Sequence, residues 1–177
     1  MKIEAWNIED WFAKEFTFSM PIVAFPAMVE RLRGTPARLE EMVRSYPPGI
    51  LTKRIGDAWS IQEHVGHLSD LEELHEGRLD NYEANADFLN AADLKNTKTY
   101  EANHNARSME DLLVRFRDVR TAFVARLEAM DEAQVARSAL HPRLQKQMRV
   151  IDLAQFVAEH DDHHLASITW VSRALRR

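Results

Sequence analysis

The chain has 177 residues, 45% of them hydrophobic, with five glycines, six prolines and no cysteine. That length fits one domain with a substantial core, and good helix formers fill its long segments, so an all-β fold starts at a disadvantage. The missing cysteine excludes a disulfide framework, a thiolate-bound zinc and a cysteine nucleophile, and a net charge of −5 argues against general nucleic-acid binding.

The stretch from Met1 to Met20 interrupts its apolar residues with Glu4, Glu9, Asp10, Lys14 and Glu15, unlike a signal peptide. No apolar run approaches the roughly 20 residues that span a bilayer. A cytoplasmic protein with neither a membrane nor a nucleic-acid partner is expected. Residues 1–25 form an arm carrying Trp6, Ile8, Trp11, Phe12, Phe16 and Phe18. So much aromatic surface must pack on something, and a short helix covering the rest of the fold is the expectation.

Four segments carry apolar residues at spacings of three and four, which predicts helices that each bury one stripe. The first runs from Pro26 to Tyr46 and buries Met28, Val29, Leu32, Leu39, Met42 and Val43; Gly34-Thr35-Pro36 kinks it and Pro47-Pro48-Gly49 ends it. The second starts at Ser60, where Ser60-Ile61-Gln62-Glu63 has the spacing of a capping box, and runs to Tyr82. The third, from Ser108 to Met130, buries Leu112, Phe116, Val119, Phe123 and Leu127; the fourth runs from Ile151 to Leu175. Between the second and third lies a polar connection, Asn85 to Arg107, too long for a hairpin turn and expected to cross one end of the bundle. A further connection, Glu132 to Arg149, is a short ribbon or a loop. With no repeat or linker, residues 1–177 read as a single all-α four-helix-bundle domain. The basic clusters Arg31/Arg33/Arg38 and Arg143/Lys146/Arg149 read as solvated surface.

Two histidines interrupt the stripe of the fourth helix, Leu153, Val157, His160, His164, Ile168 and Val171. His160 and His164 lie about 40° apart around the axis and one turn apart along it, so both imidazoles can reach one ion. Two adjacent imidazoles on a buried stripe must satisfy four ring nitrogens, and a metal ion does so economically. His163 lies to the other side, as a rim residue or a support. A third ligand is wanted, and the second helix offers His64, His67 and His75. Periodicity favours His64 and His75 slightly. Gly66, beside His67, costs helix stability and is easiest to explain if another group comes close there.

Trp59-Ser60 followed by Gly66-His67-Leu68-Ser69-Asp70, and His160-Asp161-Asp162-His163-His164-Leu165 near the end, resemble the two signature segments of the DinB-like superfamily. The resemblance spans most of the chain. It implies a four-helix bundle with a divalent metal, zinc or nickel, held by His67, His160 and His164. It sets Asp70 at a position often acidic in the family, one turn beyond His67, either supporting the site or as an ordinary surface aspartate. Trp59 is expected as a core plug. Three imidazoles would leave a coordination position open, the arrangement of catalytic rather than structural sites. Related proteins are described as metal-dependent hydrolases and as transferases using low-molecular-weight thiols. The resemblance thus implies an enzyme for a small-molecule substrate, with a low-molecular-weight thiol as a possible partner and a homodimer as a possible assembly. The competing reading is a non-catalytic, stress-related metal-binding or interaction protein. His163, Glu159, Asp161 and His64 are candidate general bases, and none is assigned as catalytic.

Overall fold

The computed structural model describes residues 8–176; Trp6 of the arm lies outside them. Four long helices carry the fold: α1 (Phe25–Arg44), α2 (Ile61–Glu83), α4 (Met109–Glu128) and α6 (Val150–Leu175). Short helices α3 (Thr97–Glu101) and α5 (Glu132–Val135) lie in the connections, and β1 (Ser138–His141) pairs antiparallel with β2 (Lys146–Arg149). The connection before α6 is therefore a ribbon. The helix starts follow local chemistry. Ser60 accepts from the Glu63 amide and Glu63 reaches back to the Ser60 amide, the capping box expected from the sequence. Ser108 caps α4 through the Asp111 amide.

α4 and α6 each pack against both α1 and α2. The ring order is therefore α1–α4–α2–α6, with α1 opposite α2 and α4 opposite α6. No helix among the described residues is long and apolar enough to cross a membrane.

The apolar stripes form two clusters rather than one. Leu32, Leu79, Phe123, Leu127, Leu153 and Val157 belong to the first, and Leu39, Ile61, Leu68, Phe116, Leu165 and Ile168 to the second. Between them each helix turns a polar residue inward at about the same level: Thr35 on α1, Glu72 on α2, Arg120 on α4 and Asp161 on α6, all buried. The clusters supply the stability, each fully buried Leu or Phe contributing about 1.5–3 kcal/mol. The polar layer positions the site.

α1 runs on through Pro36, which is buried within it. Proline has no N–H to offer the carbonyl of Leu32, and that carbonyl instead accepts from Arg120 Nη1 at 3.4 Å. The helix breaker thus opens an acceptor for the buried arginine.

The arm departs from expectation. It contains a turn at residues 11–13 and a 3₁₀ turn at Ile22–Ala24, with no α-helix among the described residues. Phe16, Phe18 and Met20 turn inward while Thr17 and Ser19 stay exposed, the two-residue alternation of an extended chain. The polar connection also differs: its 97–106 portion packs back along α2, burying Thr99 and His104, instead of only crossing an end.

Candidate metal centre

His67 from α2 and His160 and His164 from α6 each offer a ring nitrogen, and the three nitrogens lie within 4.8 Å of one another. All three side chains are buried. Burial holds the rings neutral. His67 is pulled down to about 3, by desolvation first and then by the neighbouring His64, and His160 and His164 fall well below the ordinary value for the same first reason. Neutral imidazoles present lone pairs, which is what a metal requires.

Hydrogen bonds indicate which nitrogens are free. Thr99 donates its hydroxyl to Asp70 Oδ2 at 3.1 Å, so toward His67 Nδ1, 2.9 Å away, the same oxygen acts as acceptor. His67 therefore carries its proton on Nδ1 and leaves Nε2 bare. His164 Nδ1 lies 2.8 Å from His64 Nδ1, which leaves its Nε2 facing His160 Nε2 at 3.1 Å. Two nitrogens on a tetrahedral ion with bonds of 2.0–2.1 Å lie roughly 3.3 Å apart, so the pair is spaced for a shared ion. The donor set, three neutral imidazoles, fits a borderline divalent metal. His160 Nδ1 is buried without a partner among the described residues.

The supports lie behind the histidines. Asp70 is 4% exposed and far from an ordinary surface aspartate. It accepts from Thr99 and from His104 Nε2 at 2.7 Å, and Arg115 lies 3.4 Å from its second oxygen. Burial opposes its ionisation, yet His104, Thr99 and Arg115 outweigh that and lower its pKa. The close neighbour expected at Gly66 is His104: a Cβ on Gly66 would collide with the His104 ring. Arg120 ties Glu72 at 2.6 Å to Asp161, which also accepts from Thr35 at 2.8 Å. Burial penalises the Glu72 carboxylate, but Arg120 and His75 hold it down at about 2.

The histidines line one wall of a cavity of about 460 Å³, whose apolar lining includes Trp11, Leu71, Leu74 and Phe156. Trp59, expected as a core plug, is half-buried and forms a wall of it, its ring 4.7 Å from His67. Of the candidate bases, His64 and His163 line the cavity. Glu159 is taken by Lys14 and Arg31, and Asp161 by Arg120 and Thr35. The slight preference of periodicity for His64 and His75 is not reproduced: His64 sits behind His164, and His75 lies 3.5 Å from Glu72. The basic clusters are not free surface either. Arg31 and Arg38 both pair with Asp162, Arg149 pairs with Asp152, and Lys146 donates to the Phe16 carbonyl.

A bundle of this ring order, with one histidine from its second long helix converging on an HxxxH pair from its last, defines a class. The family model of the DinB superfamily matches residues 31–168, and the chain belongs to that superfamily. Among solved structures it is similar to YfiT from Bacillus subtilis, described as a probable metal-dependent hydrolase with an unusual four-helix bundle topology. That likeness has a TM-score of 0.78 at 19% identity and covers 92% of this chain and 94% of the other. None of the curated proteins matches this sequence.

Proposed function

We propose that the protein is a metal-dependent enzyme that holds one divalent ion, zinc or nickel, on His67, His160 and His164, and acts on small molecules as a hydrolase or as a low-molecular-weight-thiol S-transferase. The observation that carries this reading is the convergence of three buried, neutral imidazoles on the wall of a cavity large enough for a substrate. When bound, the ion would supply Lewis-acid activation of a carbonyl, a water or a thiol near neutral pH. The chain's own residues do the rest. Thr99 and Asp70 fix the tautomer of His67, and His64 orients His164. Leu71, Leu74, Trp11 and Phe156 exclude bulk water from the reacting groups. That His163 is half-buried and lines the same cavity supports a role for it in taking a proton from an incoming water or thiol. The chain has no cysteine, so in a thiol transfer the sulfur arrives with the cosubstrate.

Metal analysis of untagged protein tests the site. About one divalent ion per chain is expected, with almost none in the triple His67, His160, His164→Ala variant. His64→Ala, which removes the support of His164 and no ligand, should weaken metal binding by roughly 10-fold and still retain the ion at saturating metal, while His67→Ala should weaken it clearly more. Turnover is read in parallel on ester and amide substrates and on electrophiles with a panel of thiols. Metal-free wild type from metal-supplemented medium would overturn the site, and metal-loaded protein inert on every substrate would overturn the enzyme reading.

A further inference from the structure

The cavity continues along α2 well beyond the histidines. His64, His67, Leu71, Leu74, His75 and Arg78 line it from that helix at spacings of three and four, one face of the helix. Eleven residues, about 16 Å of helical rise, separate His67 from Arg78. At that end the ribbon adds His141 and Arg143 to the lining.

These three side chains share an unusual state. Arg78 is 1% exposed, its Nε donates to the Asn90 carbonyl at 3.1 Å, and no carboxylate pairs with it among the described residues. Arg143 Nη2 is buried without a hydrogen-bond partner there, and its guanidinium lies over the Phe12 ring at 5.4 Å. His141 is 2% exposed. Its Nδ1 accepts from the Leu144 amide at 3.2 Å, which puts the ring proton on Nε2, and Nε2 too is buried without a partner. Asp93 is the acidic residue among those lining the cavity, and both its oxygens accept from backbone amides of its own loop, Lys95 and Thr97. Burial, with the second arginine adding to it, pulls Arg78 down to about 10, still charged at neutral pH. A buried cation, a half-buried one with its Nη2 enclosed, and an orphaned N–H donor at one end of a cavity are costly unless something negative completes them. The other buried arginine, Arg120, has two carboxylates. Arg78 and Arg143 have none among the described residues.

We propose that Arg78, Arg143 and the His141 Nε2–H form an oxyanion-binding subsite, and that the cavity takes an elongated small molecule whose carboxylate or phosphate docks there while its reacting group faces the histidine cluster. The guanidinium forks suit either oxyanion, and the apolar wall between the two ends suits a hydrocarbon or aromatic spacer. The role as a substrate handle rests on the enzyme reading above. The binding itself does not, because it uses none of the metal-ligating histidines.

Calorimetric titration of metal-stripped and zinc-loaded protein with phenylacetate, phenyl phosphate and the neutral isostere phenylacetamide tests the subsite. At least one of the two anions should bind roughly 10-fold or more tightly than the amide in the metal-stripped protein, and the tighter one assigns the subsite to carboxylates or to phosphate esters. Arg143→Gln, at a half-buried position, should weaken that anion by at least roughly 10-fold and leave the amide unchanged. Arg78→Gln should do the same, and if it does not fold, Arg143→Gln decides. Amide binding equal to both anions, or anion binding unchanged in Arg143→Gln, would overturn the proposal. Metal content on the same samples separates the readings: a lost anion preference with metal retained removes the subsite alone, and lost metal with the preference kept removes the enzyme reading alone.

Discussion

Substituting alanine for Gly66 sets two effects of opposite sign against each other. Gly66 lies inside α2, where alanine favours the helix by about 0.8–1.0 kcal/mol. On propensity alone the variant would be more stable. The new Cβ, however, would collide with the imidazole of His104, which is fully buried and held by Asp70 at 2.7 Å. Overpacking of this kind costs about 1–3 kcal/mol, and a ring forced off Asp70 also loses a charge-assisted hydrogen bond of about 1.5–3 kcal/mol. The clash wins. A net loss of about 1.5–5 kcal/mol corresponds to a fall of about 3–20 °C in Tm for a chain of this size. Differential scanning calorimetry on Gly66→Ala, His104→Ala and the double variant isolates the cause. With the His104 ring gone, Gly66→Ala should become neutral or stabilising by up to about 1 kcal/mol. A rise in Tm for Gly66→Ala in the wild-type background, or the same fall in both backgrounds, would refute the reasoning.

Other outcomes follow from the same geometry. In metal-stripped protein His64, His67 and His141 are held by burial at about 3, 3 and 4, below their ordinary value of 6.5. The unfolded chain therefore binds protons that the folded chain refuses. Stability is full above pH 6.5 and falls as the pH drops toward 4, which urea midpoints at pH 7.5 and 5 should show; equal midpoints would contradict it. Replacing Arg120 by Met leaves Glu72 and Asp161 buried without their shared cation and should cost about 3–5 kcal/mol in urea unfolding, and a loss below 1 kcal/mol would mean that the layer relaxes freely. Chelation should lower the melting temperature without unfolding the chain, because the apolar clusters carry the fold; loss of helical circular dichroism at 25 °C on stripping would count against that.

What the sequence made legible follows the range of each signal. The four long helices emerge from 3.6-residue periodicity and from capping chemistry at Ser60, both local, and their ends agree with the structure to within two residues. Gly66 announced a close neighbour, but its identity, His104, lies 38 residues on in a polar connection whose path no periodicity encodes. Thr99 was invisible for the same reason. The arm misled because aromatic content says that a segment packs and not in which conformation; the alternation of Phe16, Phe18 and Met20 with Thr17 and Ser19 was the usable cue. Periodicity ranked His64 and His75 slightly above His67, although all three lie on the cavity face of α2. Only the depth of the α6 pair tells which one meets it. Arg143 read as surface because its partial burial comes from the fold of the ribbon whose turn carries it and from Phe12, which is distant in sequence.

The buried polar groups divide by whether the chain completes them. Behind the histidines, Arg120 has Glu72, Asp161 and the Leu32 carbonyl, Asp70 has Thr99 and His104, and His67 has Thr99. Those contacts give each charge in the layer a partner, although Glu72 Oε2, His104 Nδ1 and His160 Nδ1 are buried without a hydrogen bond among the described residues, and they leave the bare nitrogens of His67 and the facing pair on α6 directed inward. Along the cavity the balance reverses: Arg78 has one carbonyl, and Arg143 Nη2 and His141 Nε2 have nothing among the described residues. A fold gains no stability from cations left without a counter-charge, whereas Arg120 in the layer behind has two carboxylates. The asymmetry is what a binding site requires, rigid where ligands must be held in place and incomplete where something else is to be received. Under the proposed function and the proposed subsite the two ends of the cavity belong to one site: the histidines would take a cation, the arginines an anion, and the apolar wall between them measures the molecule that would join the two.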